Sequence, residues 1–142
     1  MSITIFVPRD SAALAVGADA VATAILQQAR EAGLQVELVR NGSRGLFWLE
    51  PLVEVATDAG RVAYGPVAAE DVPGLFAAAF QSGAAHALCL GLTEYIPYLR
   101  RQERLTFARM GITDPLSLAD YQAHEGYAGL RRALTLPAAD VV

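Results

Sequence analysis

The chain of 142 residues has no lysine, one cysteine (Cys89) and two histidines (His86 and His124). A single thiol excludes an internal disulfide and any cluster held by four thiolates of one chain. It also excludes the Cys-x-x-Cys pair of thiol oxidoreductases, so Cys89 reads as a buried, inert thiol. His86 and His124 are far apart, and neither has ligand spacing around it, so they give no metal site and no partnered acid–base group. No apolar run approaches the ~20 residues that span a bilayer. The start, Met1-Ser2-Ile3-Thr4-Ile5, lacks the basic and apolar regions of a signal peptide. A cytoplasmic location with no membrane contact is the expectation. Gly42-Ser43-Arg44-Gly45 is too short for a phosphate loop and lacks its lysine. A formal charge of −4 gives no general attraction to nucleic acid.

What is present is apolar and helix-friendly: 54% hydrophobic and 18% charged residues, with much of the apolar share alanine. That composition argues against disorder, and the length fits one domain with an appendage. Ile3-Thr4-Ile5-Phe6-Val7 reads as a short buried strand ended by Pro8. Ala13 to Ala32 carries helical spacing, and Gly33 stops it. Leu34 to Arg40 alternates as a second strand. Pro51 to Ala56 and Arg61 to Tyr64 read as two more, joined by the turn signal Asp58-Ala59-Gly60. Glu70 and Asp71 open a helix to about Gln81, closed by Ser82-Gly83. The order is β-α-β-β-β-α, with the first two strands parallel across a helical crossover and the next two an antiparallel hairpin. Ala84 to Leu90 reads as a short strand or an extended segment. Thr93 to Arg109 is rich in aromatics and arginine and helical in part. Ser117 is a candidate N-cap with Asp120 three residues on. A further helix is expected from near Gly126 to about Leu134, and Asp140-Val141-Val142 reads as an abrupt end.

Two loops carry the more specific signal. The first runs from Val7 to Gly17, the second from Asn41 to Phe47, each after a strand. Gly45 lies in the second and Pro51 follows it. Further on comes Tyr64-Gly65-Pro66-Val67-Ala68-Ala69-Glu70-Asp71-Val72. Over roughly residues 3 to 81 this frame resembles the thioredoxin-like [2Fe-2S] ferredoxin domain found in the small cluster-carrying subunit of NADH dehydrogenases. That family places Cys-x4-Cys in the first loop, Cys-x3-Cys in the second, and Tyr-Gly-x-Val-x-x-Glu-Asp-Val before its closing helix. The matching ligand positions here are Pro8, Ala13, Ser43 and Phe47. None supplies a thiolate, and a serine hydroxyl at neutral pH is a poor iron ligand. The resemblance therefore implies an α/β, thioredoxin-like sandwich that carries no cluster, with Phe47 filling part of the vacated volume.

The stretch from Gly91 to Leu134 contains Asp114-Pro115, then Tyr121, then Gly126-Tyr127-Ala128-Gly129-Leu130-Arg131-Arg132-Ala133-Leu134. It resembles the lead-in to the FMN- and NADH-binding subunit of respiratory complex I and its relatives. That family carries Asp-Pro-x-x-x-x-x-Tyr followed by Gly-Gly-Tyr-x-x-Leu-Arg-Lys-Ala-Leu. Glu125 replaces the first glycine here and Arg132 the lysine. The combination with a thioredoxin-like domain is most similar to the beta (diaphorase) subunit of soluble NAD-dependent formate dehydrogenases. The resemblance implies a thioredoxin-like domain over 1–83, and over 84–142 a connector and helical lead-in to a flavin domain. It also implies FMN, NAD and [4Fe-4S] in the full-length subunit but no cofactor and no catalytic residue in this stretch. Its partners would be the downstream flavin domain and other formate dehydrogenase subunits. The side chains Tyr95, Tyr98, Leu105, Phe107, Tyr121 and Tyr127 would then be exposed for want of their cover. A free-standing thioredoxin-like binding or regulatory protein, or the equivalent subunit of an NAD-reducing hydrogenase, are the alternatives.

Overall fold

In the computed structural model, which describes residues 2–141, Ile3–Phe6 forms strand β1 and Val36–Val39 forms β2. The two pair in parallel, Ile3 opposite Val36 and Phe6 opposite Val39. A parallel pair needs a crossover, and helices α1 (Ser11–Ala15) and α2 (Ala18–Glu31) provide it. The single helix expected over 13–32 is thus two. Gly17 sits between them at φ +96°, a left-handed conformation that glycine adopts without steric cost. The hairpin of β3 (Val53–Thr57) and β4 (Gly60–Tyr64) is antiparallel, and β3 also pairs antiparallel with β1.

The helix expected over 70–81 is shorter. Only Val72–Ala77 (α3) is α-helical, flanked by 3-10 turns at Ala69–Asp71 and Phe80–Ser82. Ala79 takes φ +58°, and the chain turns there so that Phe80 enters the core against Tyr64 and Phe76. A fifth strand, β5 (Cys89–Leu92), pairs antiparallel with β4. The sheet order is β2-β1-β3-β4-β5. The sheet therefore continues past residue 83, where the sequence suggested its domain would close. Beyond β5 come α4 (Pro97–Arg100), α5 (Leu118–Ala123) and α6 (Ala128–Ala133). The Ser117 hydroxyl accepts from the Asp120 N–H at 3.1 Å and so caps α5. Most of 101–112 is turn. Val142, in the abrupt end read from sequence, and Met1 lie outside the described residues.

Alternation in the strands divides the interior. Ile5, Val7, Val53, Val55, Val62 and Tyr64 pack on one side against Val21, Ile25, Val72 and Leu75 of the helices. A second, smaller cluster joins Leu46, Leu52 and Ala63 to Ile96 and Leu99 of the C-terminal segment. Both faces of the central strands are covered, which is why Glu54, between Val53 and Val55, has no exposure. Among the described residues, no helix is long and apolar enough to cross a membrane.

Candidate functional site

The two loops lie side by side. The Arg9 N–H donates to the Asn41 carbonyl at 2.9 Å, and the Val7 N–H to that of Val39 at 3.0 Å. Arg40 reinforces the seam, its Nε donating to the Val7 carbonyl and its Nη2 to that of Pro8. In the first loop, Asp10 Oδ1 accepts from the N–H groups of Ala12 and Ala13 at 3.0 and 3.3 Å, capping α1. Pro8 and Ala13 are buried. In the second loop, buried Ser43 donates its hydroxyl to Glu50 Oε1 at 2.7 Å and accepts from the Gly45 N–H at 2.9 Å. Glu50 Oε2 accepts from the Leu52 N–H. Burial pushes the Glu50 carboxyl above its ordinary range, although the bonds from Ser43 and Leu52 pull the other way.

Phe47 departs from its expected place. It is 61% exposed, on a 3-10 turn over Phe47–Leu49, while Leu46 beside it is fully buried. Leu46, rather than Phe47, is the side chain of this loop that packs inward. Pro8, Ala13 and Ser43 thus line the buried part of the frame, and Phe47 lies apart from them in exposure. The donor chemistry does not fit a [2Fe-2S] cluster. Three positions, Pro8, Ala13 and Phe47, have no side-chain donor atom, and the one hydroxyl, that of Ser43, is committed to Glu50. Among the described residues, no three His, Cys, Asp or Glu side chains are grouped to hold a metal ion.

A buried charge cluster beside the second loop was not apparent in the sequence. Arg44 donates through Nε and Nη2 to the two oxygens of Glu54 at 2.9 and 2.8 Å, a bidentate pair. Its Nη1 donates to Glu94 Oε1 at 2.8 Å. The side chains of Arg44 and Glu54 are 5% and 1% exposed, so both are desolvated. Thr93 Oγ1 donates to Glu54 Oε2 at 3.3 Å, and Arg61 Nη1 stands 3.6 Å from the same oxygen. Arg61 also lies over the Phe6 ring, 3.4 Å from its centroid. Burial alone disfavours the Arg44 charge, but the bonds and charges of Glu54 and Glu94 outweigh it and hold the guanidinium above its usual value. For Arg61 burial dominates, helped by the Arg44 charge, and its value falls despite Glu54.

The same residues fasten residues 104–113 across the loop. Arg104 Nη2 donates to the Arg44 carbonyl at 2.8 Å. Asn41 Nδ2 donates to the Gly111 carbonyl at 2.7 Å, and Arg61 donates to the carbonyls of Gly111 and Ile112. Gly111 has φ +78°, and a Cβ there would collide with the Arg44 side chain. The signals available in sequence were an arginine inside a glycine-flanked loop and a lone acid in an apolar strand. Neither names its partner. The His124 ring, just past the end of α5, contacts Asp120 four residues back, and the His86 ring accepts from the Leu88 N–H. Cys89 is half-buried at the start of β5.

This architecture, a parallel pair extended by an antiparallel hairpin with helices packed on the sheet, is a thioredoxin-like α/β fold. Solved structures that match include thioredoxin-like [2Fe-2S] ferredoxins from Aquifex aeolicus. The wild-type ferredoxin at 1.5 Å superposes with a TM-score of 0.51 at 20% identity, over 63% of this chain and 96% of that one. A cysteine-to-serine variant gives 0.52 at 21% identity, over 63% and 98%. A further structure of the ferredoxin gives 0.52 at 19%, over 63% and 90%. No protein-family model matches the chain, and no curated protein does.

Proposed function

We propose that this chain is a cluster-free thioredoxin-like docking domain, the N-terminal part of the beta subunit of an NAD-dependent formate dehydrogenase. The single observation that carries the cluster-free half is the second loop. Its serine is bonded to Glu50, and the neighbouring arginine is locked to Glu54 and covered by residues 104–113. The resemblance of residues 91–134 to the lead-in of FMN- and NADH-binding subunits supports the formate dehydrogenase half. On this reading residues 1–83 are the ferredoxin-like frame, and 84–142 lead toward the flavin domain. The division is one of role. Strand β5 completes the sheet, and Thr93 and Glu94 complete the Arg44 cluster. Electrons in the parent enzyme, passing through clusters to FMN and NAD, would bypass this domain. Its partners would be the flavin domain and the other subunits, with no nucleic acid and no membrane.

Two measurements test the reading. Anaerobic reconstitution of the chain with iron and sulfide should leave no stoichiometric metal and no visible charge-transfer bands. A full [2Fe-2S] spectrum would overturn the cluster-free assignment. A formate dehydrogenase whose beta subunit lacks residues 1–142, so that β5 and the segment packed on the sheet leave with it, should lose subunit assembly, while its flavin domain keeps NADH oxidation with an artificial acceptor. Normal assembly without them would remove the docking role.

A further inference from the structure

Beside the Arg44 cluster, on its outer side, one surface concentrates exposed apolar side chains. Trp48 and Tyr98 meet edge to face at 5.1 Å, yet they are 60% and 44% exposed. Beside them an open cleft of about 560 Å³ is lined by Tyr98, Leu105, Phe107 and Met110, with Arg44 and Arg104 among its walls. Leu105 is 84% exposed and Phe107 64%. Large side chains so exposed leave apolar surface in water, which soluble chains seldom concentrate without a partner. The backbone that carries them has little regular structure, but its bonds to Arg44, Asn41 and Arg61 hold it in one place.

The charges around this surface indicate what would cover it. Between residues 97 and 110, Arg100, Arg101, Arg104 and Arg109 stand against a single acid, Glu103, in a chain whose formal charge is −4. Arg104 is in the cleft wall, and Arg109 lines an adjoining cleft with Leu105 and Phe107. Arg100 and Arg101 line another with Tyr95 and Pro97, on the short helix that carries Tyr98. Arginine and aromatic side chains are enriched where proteins bind one another. Guanidinium groups pair best with carboxylates when flat, two-bond contact is possible. Tyr98 and Phe107 offer rings, but Glu103 in the cleft and the chain's formal charge of −4 oppose a phosphate backbone, and Leu105 and Met110 suit an apolar protein side chain rather than a base, so a nucleic acid fits poorly.

Resting on the function proposed above, we infer that this face docks an apolar protein surface rimmed by carboxylates, presented by the flavin-bearing domain. Trp48, Tyr98, Leu105 and Phe107 meet its centre, and Arg100, Arg101 and Arg109 meet its rim.

The test is a titration of the full chain against the separately produced FMN- and NADH-binding domain of a soluble NAD-dependent formate dehydrogenase beta subunit, at low and high salt. Leu105→Glu with Phe107→Glu should weaken binding by about tenfold or more. Arg100→Glu with Arg101→Glu should weaken it at low salt and flatten its salt dependence. Leu134→Glu, an exposed leucine outside the cleft, should change nothing. All three variants alter exposed side chains and should keep the wild-type circular dichroism. If the wild-type chain binds and neither double variant weakens it, this surface is wrong and the proposed function stands. If the wild-type chain does not bind, the proposed function fails and this inference with it. Sedimentation showing a dimer of the chain alone, lost in the Leu105/Phe107 variant, would give the surface to a second copy and overturn the inference. Competition by a single-stranded oligonucleotide would overturn it in favour of nucleic acid.

Discussion

Replacing Arg44 by alanine isolates Glu54 in the middle of the sheet. The carboxylate is 1% exposed and would lose its bidentate partner at 2.8 and 2.9 Å. Removing one member of a buried ion pair costs about 3–5 kcal/mol, because the remaining charge stays desolvated. Two groups soften the loss. The Thr93 hydroxyl already bonds Glu54 at 3.3 Å, and Arg61 at 3.6 Å can move closer. The expected cost is therefore near the lower end, about 3 kcal/mol, in a fold whose total stability is on the order of 5–15 kcal/mol. The pair as a whole behaves differently. Arg44→Met with Glu54→Leu removes both charges and keeps much of the volume, so the double variant should lie within about 1–2 kcal/mol of wild type. Equilibrium unfolding in urea, followed by far-ultraviolet circular dichroism at neutral pH, measures both. The reasoning is refuted if Arg44→Ala costs less than about 1 kcal/mol. It is refuted equally if the double variant is as unstable as the single one.

Three further outcomes follow from the same geometry. Gly111→Ala forces a β-carbon into the Arg44 side chain at φ +78° and should lower stability by about 2 kcal/mol or more in thermal unfolding. An unchanged midpoint would mean that residues 104–113 do not hold the loop as described. Phe47→Ala should change stability by no more than about 0.5 kcal/mol, as for a surface side chain; a core-sized loss would show that Phe47 packs inward after all. Burial raises the Glu50 carboxyl, so the folded state binds this proton more tightly than the unfolded chain does. Its contribution is fully favourable below the ordinary carboxylate value and is lost as pH rises through the raised one. The stability of wild type relative to Glu50→Gln should accordingly fall from pH 5 to pH 8 in urea titrations, and a rise would contradict the assignment.

Patterns that repeat along the chain were legible in sequence, and contacts between distant residues were not. The four strands of the expected order and the parallel and antiparallel senses of their pairs all appear, because alternation and the turn at Asp58-Ala59 are local signals. The break at Gly17 and the turn at Ala79 were missed. In each case the helical spacing continues through a residue whose backbone leaves the helix, and at Ala79 tertiary packing of Phe80 decides the outcome. Phe47 was misplaced for a related reason. Bulk argued that it would fill a void, but bulk does not fix direction, and the turn over Phe47–Leu49 turns Leu46 inward and Phe47 out. Glu54 is the clearest case. An acid alternating with two valines normally marks the wet face of a strand. Here that face is dry, because residues 93–113, some forty positions later, lie over it.

That second covering layer connects the second loop with the exposed surface. A sheet with helices on one face still has another to satisfy, and here the C-terminal segment does so through Ile96, Leu99 and the Arg44–Glu54 pair. Arg44 belongs to the same loop as the serine that stands at a ligand position. Its guanidinium points to the sheet, and its carbonyl accepts from Arg104. The loop is thereby held from both sides by groups that have no part in cluster chemistry. Holding residues 104–113 in this way also fixes Leu105 and Phe107 in solvent. A segment free to collapse would bury such side chains against the domain, since leaving each in water forfeits about 1.5–3 kcal/mol of burial. The bonds to Arg44, Asn41 and Arg61 oppose that collapse. The bonds that hold the second loop thus also keep Leu105 and Phe107 in solvent, and the Arg44 pair links the two.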